Sequence, residues 1–176
     1  MEVFIIEKIY TTEPTEIEQK VYDILDELGV DYGVVEHEPL YTAEDLNKIK
    51  EQAPGLHAKN LFLRNAKGNK YYLIVAEDAK PVNLKEVKKL IGSTNLSFAS
   101  EDRLMKVLKL VPGSVNPFSL VNDEEKVVEL YIEKELLTGE LLNFHPNVNY
   151  KTVTISLDGL KKYHDHIGFT LNEIEL

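Results

Sequence analysis

Three stretches of the sequence carry groups that could act on a ligand if the fold brought them together. The loop Leu110–Leu120 holds Gly113 between two prolines, so it is stiff and can bring bare backbone up to a ligand. Lys59 opens an apolar run, where its ammonium could hold an anion or donate to a carbonyl. His145 stands ahead of an alternating run and could shape a pocket. The loop and His145 also have a purely structural explanation, since Pro-Gly and Asn-Pro are common turn dipeptides and His145 precedes a proline.

The sequence lacks the usual patterns for metal binding and covalent catalysis. His37 lies between two glutamates without a second histidine four residues on, and His164 and His166 are two residues apart, so they point apart on a helix. Gly113-Ser114 lacks the Gly-x-Ser-x-Gly frame of a nucleophilic serine, and the chain has no cysteine. We therefore expect no metal and no cofactor. We place His37 on the surface, and His164 and His166 at a frayed helix end.

The composition is that of a soluble globular protein. The chain has 176 residues, of which 43% are hydrophobic and 28% are charged. We expect a single domain over residues 1–176, with residues 1–14 as a candidate N-terminal arm. No apolar run approaches the roughly 20 residues of a membrane span, and the start lacks the pattern of a signal peptide. These features predict no membrane association and a cytoplasmic location.

The net charge of −10 argues against a general nucleic-acid binder, because such binding depends on neutralising phosphates. Basic residues nevertheless cluster between Lys48 and Lys89. They could form a local positive face for one end of a nucleic acid, or they could be scattered solvated lysines.

Capping and periodicity predict about five helices. Thr15 with Glu18 forms a capping box for a helix that ends at Gly29, and Thr42 with Asp45 predicts a shorter one. Further helices are expected after Asn83, Ser100 and Ser156, which are all good N-cap residues; they are the third, fourth and fifth helices along the chain.

About six or seven strands are expected between these helices. Residues 58–64 and 71–76 read as a hairpin, and further strands are predicted at residues 118–121 and 127–132. Residues 152–156 alternate, with Val153 and Ile155 on one face. The fold class is therefore α/β (α+β), a mixed, largely antiparallel curled sheet flanked by helices.

The chain resembles the YbaK/ProX-like aminoacyl-tRNA editing-domain family, which includes free-standing proteins and the domain inserted in bacterial prolyl-tRNA synthetases. The match lies in three ordered motifs: Lys59-Asn60-Leu61-Phe62-Leu63, the Gly-x-x-x-Pro loop Gly113–Pro117 with Phe118-Ser119-Leu120 behind it, and Phe144-His145-Pro146-Asn147 ahead of residues 152–156. Each motif is weak singly, but the ordered set is fairly specific. It extends from about Thr15 to Tyr163.

The resemblance implies a hydrolase that deacylates mischarged tRNA(Pro), with Ala-tRNA(Pro) as the expected substrate. It implies that Lys59, Gly113 and His145 are the catalytic residues. Lys59 would bind either the terminal phosphate or the aminoacyl end. The implied substrate-binding residues are Thr42, Ser114, Val115, Asn116, Pro117, Phe118 and Asn147.

The implied partners are the acceptor end of mischarged tRNA(Pro) and, as a candidate, prolyl-tRNA synthetase. Two other functions fit the same residues. One is a Cys- or Ser-tRNA deacylase of the same fold. The other is a non-catalytic module that binds an amino acid or an aminoacyl-tRNA.

Overall fold

The computed structural model describes residues 7–40 and 43–176, and in these ranges it contains nine strands and five α-helices. The strands are β1 (Lys8–Ile9), β2 (Tyr32–Glu36), β3 (Leu56–Arg64), β4 (Tyr71–Glu77), β5 (Ser97–Phe98), β6 (Val128–Glu133), β7 (Leu141–Phe144), β8 (Lys151–Ser156) and β9 (Leu171–Ile174). The helices are α1 (Glu16–Glu27), α2 (Ala43–Lys50), α3 (Leu84–Ile91), α4 (Glu101–Leu108) and α5 (Leu157–Ile167). Two 3₁₀ helices cover Pro117–Asn122 and Lys134–Thr138.

Helix starts follow the predicted caps. The Thr15 side chain accepts from the Glu18 backbone N–H, and the Glu18 side chain bonds back to Thr15, which completes the capping box of α1. The side chains of Asn83, Ser100 and Ser156 cap α3, α4 and α5 by accepting from a backbone N–H of the first turn. Local side-chain chemistry therefore sets where these elements begin.

The strands form one mixed sheet in the order β1-β2-β8-β7-β3-β4-β6-β9, with β5 paired to β3. The antiparallel ladders β3–β4, β2–β8, β7–β8 and β3–β5 join seven, five, four and two residue pairs. The parallel ladders β4–β6, β6–β9, β1–β2 and β3–β7 join five, four, two and two. The mixed, largely antiparallel sheet is confirmed, with more strands than predicted.

Buried apolar side chains lie on both faces of the sheet. Leu73 and Val75 of β4 belong to the main core, whereas Tyr72 and Ile74 pack in a second, smaller cluster with Val87 of α3. Successive side chains of a strand point to opposite faces, so the two clusters lie on opposite sides of β4. This double cover makes β4 buried along nearly its whole length.

Residues 118–121 are helical and not a strand, which corrects the sequence-based prediction. Asn116 caps the 3₁₀ helix Pro117–Asn122 by accepting from the Ser119 N–H, and Pro117 presets a helical φ at its first position. The apolar run that suggested a strand is a helical turn buried on several sides. Strand β9 and the second 3₁₀ helix were not predicted.

Two predicted features lie outside the described residues. They are the first part of the N-terminal arm and the Thr42 cap of α2. Within residues 7–40 and 43–176, no helix is long and apolar enough to cross a membrane.

Candidate active site

A cavity of about 620 Å³ opens where strands β3 and β7 part. The parallel ladder between them joins only Leu56 to Leu142 and His57 to Asn143 in the described residues. Lys59 lies two residues beyond this ladder on β3, and His145 lies two residues beyond it after β7. Lys59, Gly113 and His145 all line the cavity. The fold thus brings together the three residues that the sequence singles out.

The Lys59 ammonium donates to the backbone carbonyl oxygen of Lys80, and its side chain is half-buried. A second lysine on the wall, Lys50, is paired with Asp78 at 3.1 Å between Nζ and Oδ2. Within the described residues, Lys59 has no carboxylate partner. Its positive charge is therefore available to an anionic ligand.

Gly113 contributes its backbone to the wall, since it has no side chain. Its φ of +89° lies in the region that glycine adopts most readily. A Cβ added there would meet only Asn149 Nδ2 at 3.7 Å, which is an ordinary contact. The position thus needs glycine for its backbone angle more than for clearance from other residues of the protein.

The backbone N–H groups of Gly113 and Val115 make no hydrogen bond within the described part of the chain. Val115 also lines the cavity, as predicted for a substrate contact. The loop therefore has donors that a ligand could use.

Five residues predicted to contact substrate are placed behind the loop instead of on the cavity wall: Ser114, Asn116, Pro117, Phe118 and Asn147. All five are buried. Thr42, which was also predicted to contact substrate, lies outside the described residues.

Hydrogen bonds explain why these residues face inward. Asn116 Nδ2 donates to Ser114 O at 2.8 Å and to Asn147 Oδ1 at 2.9 Å, and Asn147 Nδ2 donates to Ile17 O at 2.9 Å. Helix α5 holds the other side of the loop, because Tyr163 donates to the Phe118 carbonyl at 2.8 Å. These residues fix the shape of the loop, and their polar atoms already have partners.

His145 is held by its ring nitrogen Nδ1, which lies 2.8 Å from the Lys151 carbonyl oxygen. Burial is the main cause that lowers the pKa of His145, although the Lys151 carbonyl opposes the shift. The ring of His37 lies 5.9 Å away between centroids. Burial also lowers the pKa of His37 and of His57, so all three imidazoles favour the neutral form.

A buried ion pair joins helix α1 to β8, the strand that follows His145. Lys151 Nζ lies 2.7 Å from Glu18 Oε2, and both side chains are fully buried. Lys151 also donates to the Thr12 carbonyl at 3.2 Å, and its ammonium lies 4.3 Å from the Tyr10 ring centroid. Helix α1 is thereby tied to the strand that follows His145.

The cavity also contains polar residues that were not predicted. They are Asn47, Lys50, His57, Asn60, Asp78, Asn143 and Thr152. His57, Asn143 and Thr154 occupy one row across β3, β7 and β8, so they become neighbours through strand register. No short motif encodes that register, although His57 stands two residues before the predicted Lys59.

Two histidine predictions need correction. His37 is partly buried, with Nε2 at 2.7 Å from Thr152 Oγ1, and is not a plain surface residue. His164 is fully buried inside α5, with Nε2 at 2.9 Å from the Pro117 carbonyl, and is not at a frayed end. Within residues 7–40 and 43–176, no group of three or more His, Cys, Asp or Glu side chains could hold a metal ion.

Residues 37–163 match the aminoacyl-tRNA editing domain family, a range that contains every residue of the cavity wall. The chain therefore belongs to this family of editing proteins. The predicted family is confirmed, as is an aminoacyl-tRNA deacylase as the class of enzyme.

The chain is 46% identical to the prolyl-tRNA editing protein ProX of Acetoanaerobium sticklandii, over 90% of this chain and 96% of the relative. It is 33% identical to the mouse prolyl-tRNA synthetase associated domain-containing protein 1, over 80% of this chain and 83% of the relative. A crystal structure reported as a candidate trans-editing enzyme for prolyl tRNA synthetase superposes with a TM-score of 0.69, at 16% identity, over 93% of this chain and 99% of that one. At that identity the structural likeness supports the fold alone.

Proposed function

We propose that this protein is a trans-editing hydrolase that deacylates mischarged tRNA(Pro), with alanine as the amino acid it removes. The observation that carries the proposal is the meeting of Lys59, Gly113 and His145 on one cavity wall. The likeness to a prolyl-tRNA editing protein over nearly the whole chain supports tRNA(Pro) as the substrate.

The reaction needs neither a metal nor a protein nucleophile. An aminoacyl-tRNA is an activated ester, so water, or a neighbouring ribose hydroxyl followed by water, can add to its carbonyl carbon. The tetrahedral intermediate then collapses, breaks the bond to the ribose oxygen and releases the free amino acid and the tRNA. The site has to hold the ester and stabilise the developing oxyanion. The free N–H groups of Gly113 and Val115 are suited to that task.

In this proposal Lys59 binds the terminal phosphate of the tRNA. Its charge is not neutralised by a carboxylate of the described residues, whereas Lys50 is paired with Asp78. The phosphate would exchange with, or add to, the Lys80 carbonyl that Lys59 now contacts. This fixes the nucleotide while the loop meets the ester.

The cavity is larger than an alanyl group needs, since its volume is about 620 Å³. This volume is in the range of pockets that hold a whole small ligand, so it can take the aminoacyl group together with part of the terminal nucleotide. Discrimination among small amino acids must then come from the part of the wall next to the ester. A proline-specific synthetase needs such help, because a missing methylene is worth only about 1–3 kcal/mol in a binding pocket.

The proposed partners follow from this chemistry. The acceptor end of mischarged tRNA(Pro) is the ligand, and prolyl-tRNA synthetase, as the source of that substrate, is the protein next to which the enzyme acts. The enzyme would work in the cytoplasm, where the tRNA is charged.

A panel of charged tRNAs tests the amino acid. Purified protein is incubated with tRNA(Pro) charged with alanine, cysteine, serine or proline, and the loss of the ester is followed against a protein-free blank. We expect Ala-tRNA(Pro) to be hydrolysed fastest and Pro-tRNA(Pro) to be spared. Faster loss of the cysteinyl or seryl ester would replace alanine as the substrate, and equal loss of all four would contradict a selective editing role.

The Gly113→Ala variant should lose stability and activity together. A side chain at a φ of +89° is strained by about 1–2 kcal/mol, and relief of the strain would move the loop that meets the ester. We expect deacylation to fall at least about tenfold. Gly92→Ala is the matched control, because Gly92 has a φ of +68° and open space around it but lies at the end of α3. Activity loss of equal size in both variants would show that the loop has no special role.

Deacylation should fall at acid pH. His145 has a lowered pKa, so it is neutral at and above its usual value of about 6.5 and gains a proton only at lower pH. The same shift makes the unfolded chain bind protons more readily than the folded one, so stability also decreases as pH falls through this range. Rates between pH 5 and 8 are therefore measured with a parallel check of folding by circular dichroism, using His166→Gln, at an exposed position, as the control. A blank-corrected rate that rises as the pH falls, in folded protein, would contradict a need for neutral imidazole.

A further inference from the structure

The hydrogen-bond partner of His145 determines which of its nitrogens carries the proton. Nδ1 lies 2.8 Å from the carbonyl oxygen of Lys151, and a carbonyl can only accept, so Nδ1 is the donor. In the neutral ring Nε2 then has a lone pair and no proton. Nε2 has no partner within the described part of the chain. His145 therefore presents a hydrogen-bond acceptor at the cavity.

Thr152 presents an acceptor for a related reason. His37 Nδ1 lies 2.7 Å from the Glu38 carbonyl and must donate to it, so Nε2 of the neutral ring is an acceptor. The Thr152 hydroxyl, 2.7 Å from that Nε2, must then be the donor. With its proton committed to His37, the Thr152 oxygen has only lone pairs left, and Thr152 lines the cavity.

Two further acceptors belong to the same wall. His57 Nε2 lies 2.8 Å from the Ala53 carbonyl and donates to it, which leaves Nδ1 as an acceptor without a partner in the described residues. Asn60 Oδ1 is a buried oxygen with no hydrogen-bond partner in the part of the chain that the structure describes. We call His57, Asn60, His145 and Thr152 the acceptor wall.

A wall of unpaired acceptors is complementary to a ligand group that carries several donors. The α-ammonium group of an aminoacyl ester has three N–H donors and a positive charge, whereas the ester itself offers only acceptors. We propose that the acceptor wall binds the α-ammonium group of the aminoacyl ester, an inference that rests on the proposed function. The wall would thereby orient the ester carbonyl toward the Gly113 loop and away from His145.

The surrounding charges are compatible with this arrangement. Lys50 is neutralised by Asp78 at 3.1 Å, and that carboxylate lies on the same wall. Lys59 is held at the Lys80 carbonyl, where the proposed function assigns it the phosphate. The two positive groups of the substrate complex, ammonium and Lys59, would then lie on either side of the ester.

Two analogues that cannot be hydrolysed test the inference without depending on turnover. Both carry a 3′-amide in place of the ester of terminal adenosine; one bears an alanyl group and the other a lactyl group, in which a hydroxyl replaces the ammonium. Affinities are measured by isothermal titration calorimetry at pH 7, below the α-amino pKa of about 7.7–8.0. We expect the alanyl analogue to bind about tenfold to hundredfold more tightly, the range for a hydrogen bond to a charged group. Equal affinities, or failure of both analogues to bind, would overturn the inference.

Variants at Thr152 test whether its hydroxyl contributes to the preference for the alanyl analogue over the lactyl analogue. Thr152→Val removes the hydroxyl at nearly constant shape and should weaken only the alanyl analogue, whereas Thr152→Ser should keep the preference. Thr170→Val changes an exposed threonine and should alter neither affinity. Equal weakening of both analogues by Thr152→Val would indicate a structural role and overturn this assignment of Thr152.

The two proposals can fail separately. A preference for the alanyl analogue without hydrolysis of any charged tRNA(Pro) would overturn the proposed function alone. Hydrolysis of Ala-tRNA(Pro) with equal affinity for the two analogues would overturn the acceptor wall alone.

Discussion

Replacing Lys59 with alanine is expected to slow deacylation of mischarged tRNA(Pro) by at least about a hundredfold while the protein stays folded. Of the two lysines on the cavity wall, Lys50 is paired with Asp78, whereas no carboxylate of the described residues neutralises Lys59. Its loss therefore removes the charge that would hold the substrate phosphate. Loss of a group that positions the substrate can cost about 10²-fold in rate. The fold should tolerate the change, because the Lys59 side chain is only half-buried and, within the described residues, hydrogen-bonds only to the Lys80 carbonyl.

Three comparisons make the Lys59 result interpretable. Initial rates are measured on Ala-tRNA(Pro), and the free energy of unfolding is measured in urea for the same samples. Lys59→Arg keeps the charge with a different shape and should retain more activity than the alanine variant. Lys162→Ala removes an exposed lysine on α5, outside the basic cluster between Lys48 and Lys89, and should act like the parent. A Lys59→Ala rate within a few-fold of the parent would exclude Lys59 from the chemistry.

Replacing Lys151 with methionine is expected to lower the free energy of unfolding by about 3–5 kcal/mol, the usual cost of breaking a buried ion pair from one side. Both Lys151 and Glu18 are fully buried with 2.7 Å between Nζ and Oε2, so the substitution leaves an uncompensated carboxylate in the core. The side-chain donors that remain to that carboxylate in the described residues are neutral hydroxyls, from Tyr22 at 3.0 Å, Thr15 at 3.3 Å and Tyr150 at 3.4 Å. Urea unfolding measures the loss, and Lys162→Met, at an exposed site on α5, controls for the change of residue type.

A second substitution shows whether the buried charge is the cause. Glu18→Gln keeps a side chain able to complete the capping box with Thr15 but removes the carboxylate. The double variant Glu18→Gln/Lys151→Met should therefore be more stable than Lys151→Met alone. A double variant that is less stable, or as unstable, would show that the loss comes from packing around Lys151.

Local rules explain most of the predicted elements. Capping residues set the starts of α1, α3, α4 and α5, and the β3–β4 hairpin follows from apolar runs around a glycine-containing turn. The three motifs on the cavity wall were identified through their order along the chain and their likeness to a family. From hydrophobic periodicity alone, Gly113 would have been assigned to a connecting loop without a functional role.

The errors have two causes: a local cap that was missed, and tertiary contacts that override local pattern. Residues 118–121 look like a strand, but the Asn116 cap and Pro117 turn them into a 3₁₀ helix. Alternation in β8 suggests one exposed face, yet Lys151–Ile155 are all buried. Glu18 of α1 neutralises Lys151 on one face, and on the other Thr152 and Thr154 hydrogen-bond to His37 and Asn143. Glu18 is 133 positions from Lys151, so no window of sequence contains the pair.

The unpredicted part of the site depends on register. His57, Asn143 and Thr152 reach the cavity because β3, β7 and β8 align in one particular way. A shift of one residue in that alignment would turn each of these side chains to the other face of the sheet. Likewise, the inward-facing roles of Asn116 and Asn147 follow from a hydrogen bond between residues 31 positions apart.

The central claim is that the cavity bearing Lys59, Gly113 and His145 hydrolyses a mischarged tRNA. The most direct measurement incubates protein with a large molar excess of Ala-tRNA(Pro) and counts the moles of alanine released per mole of protein. We predict many turnovers by the parent protein and near-background release by Lys59→Ala. Protection of the ester, or release that matches the protein-free blank, would contradict the claim and identify the chain as a binding module.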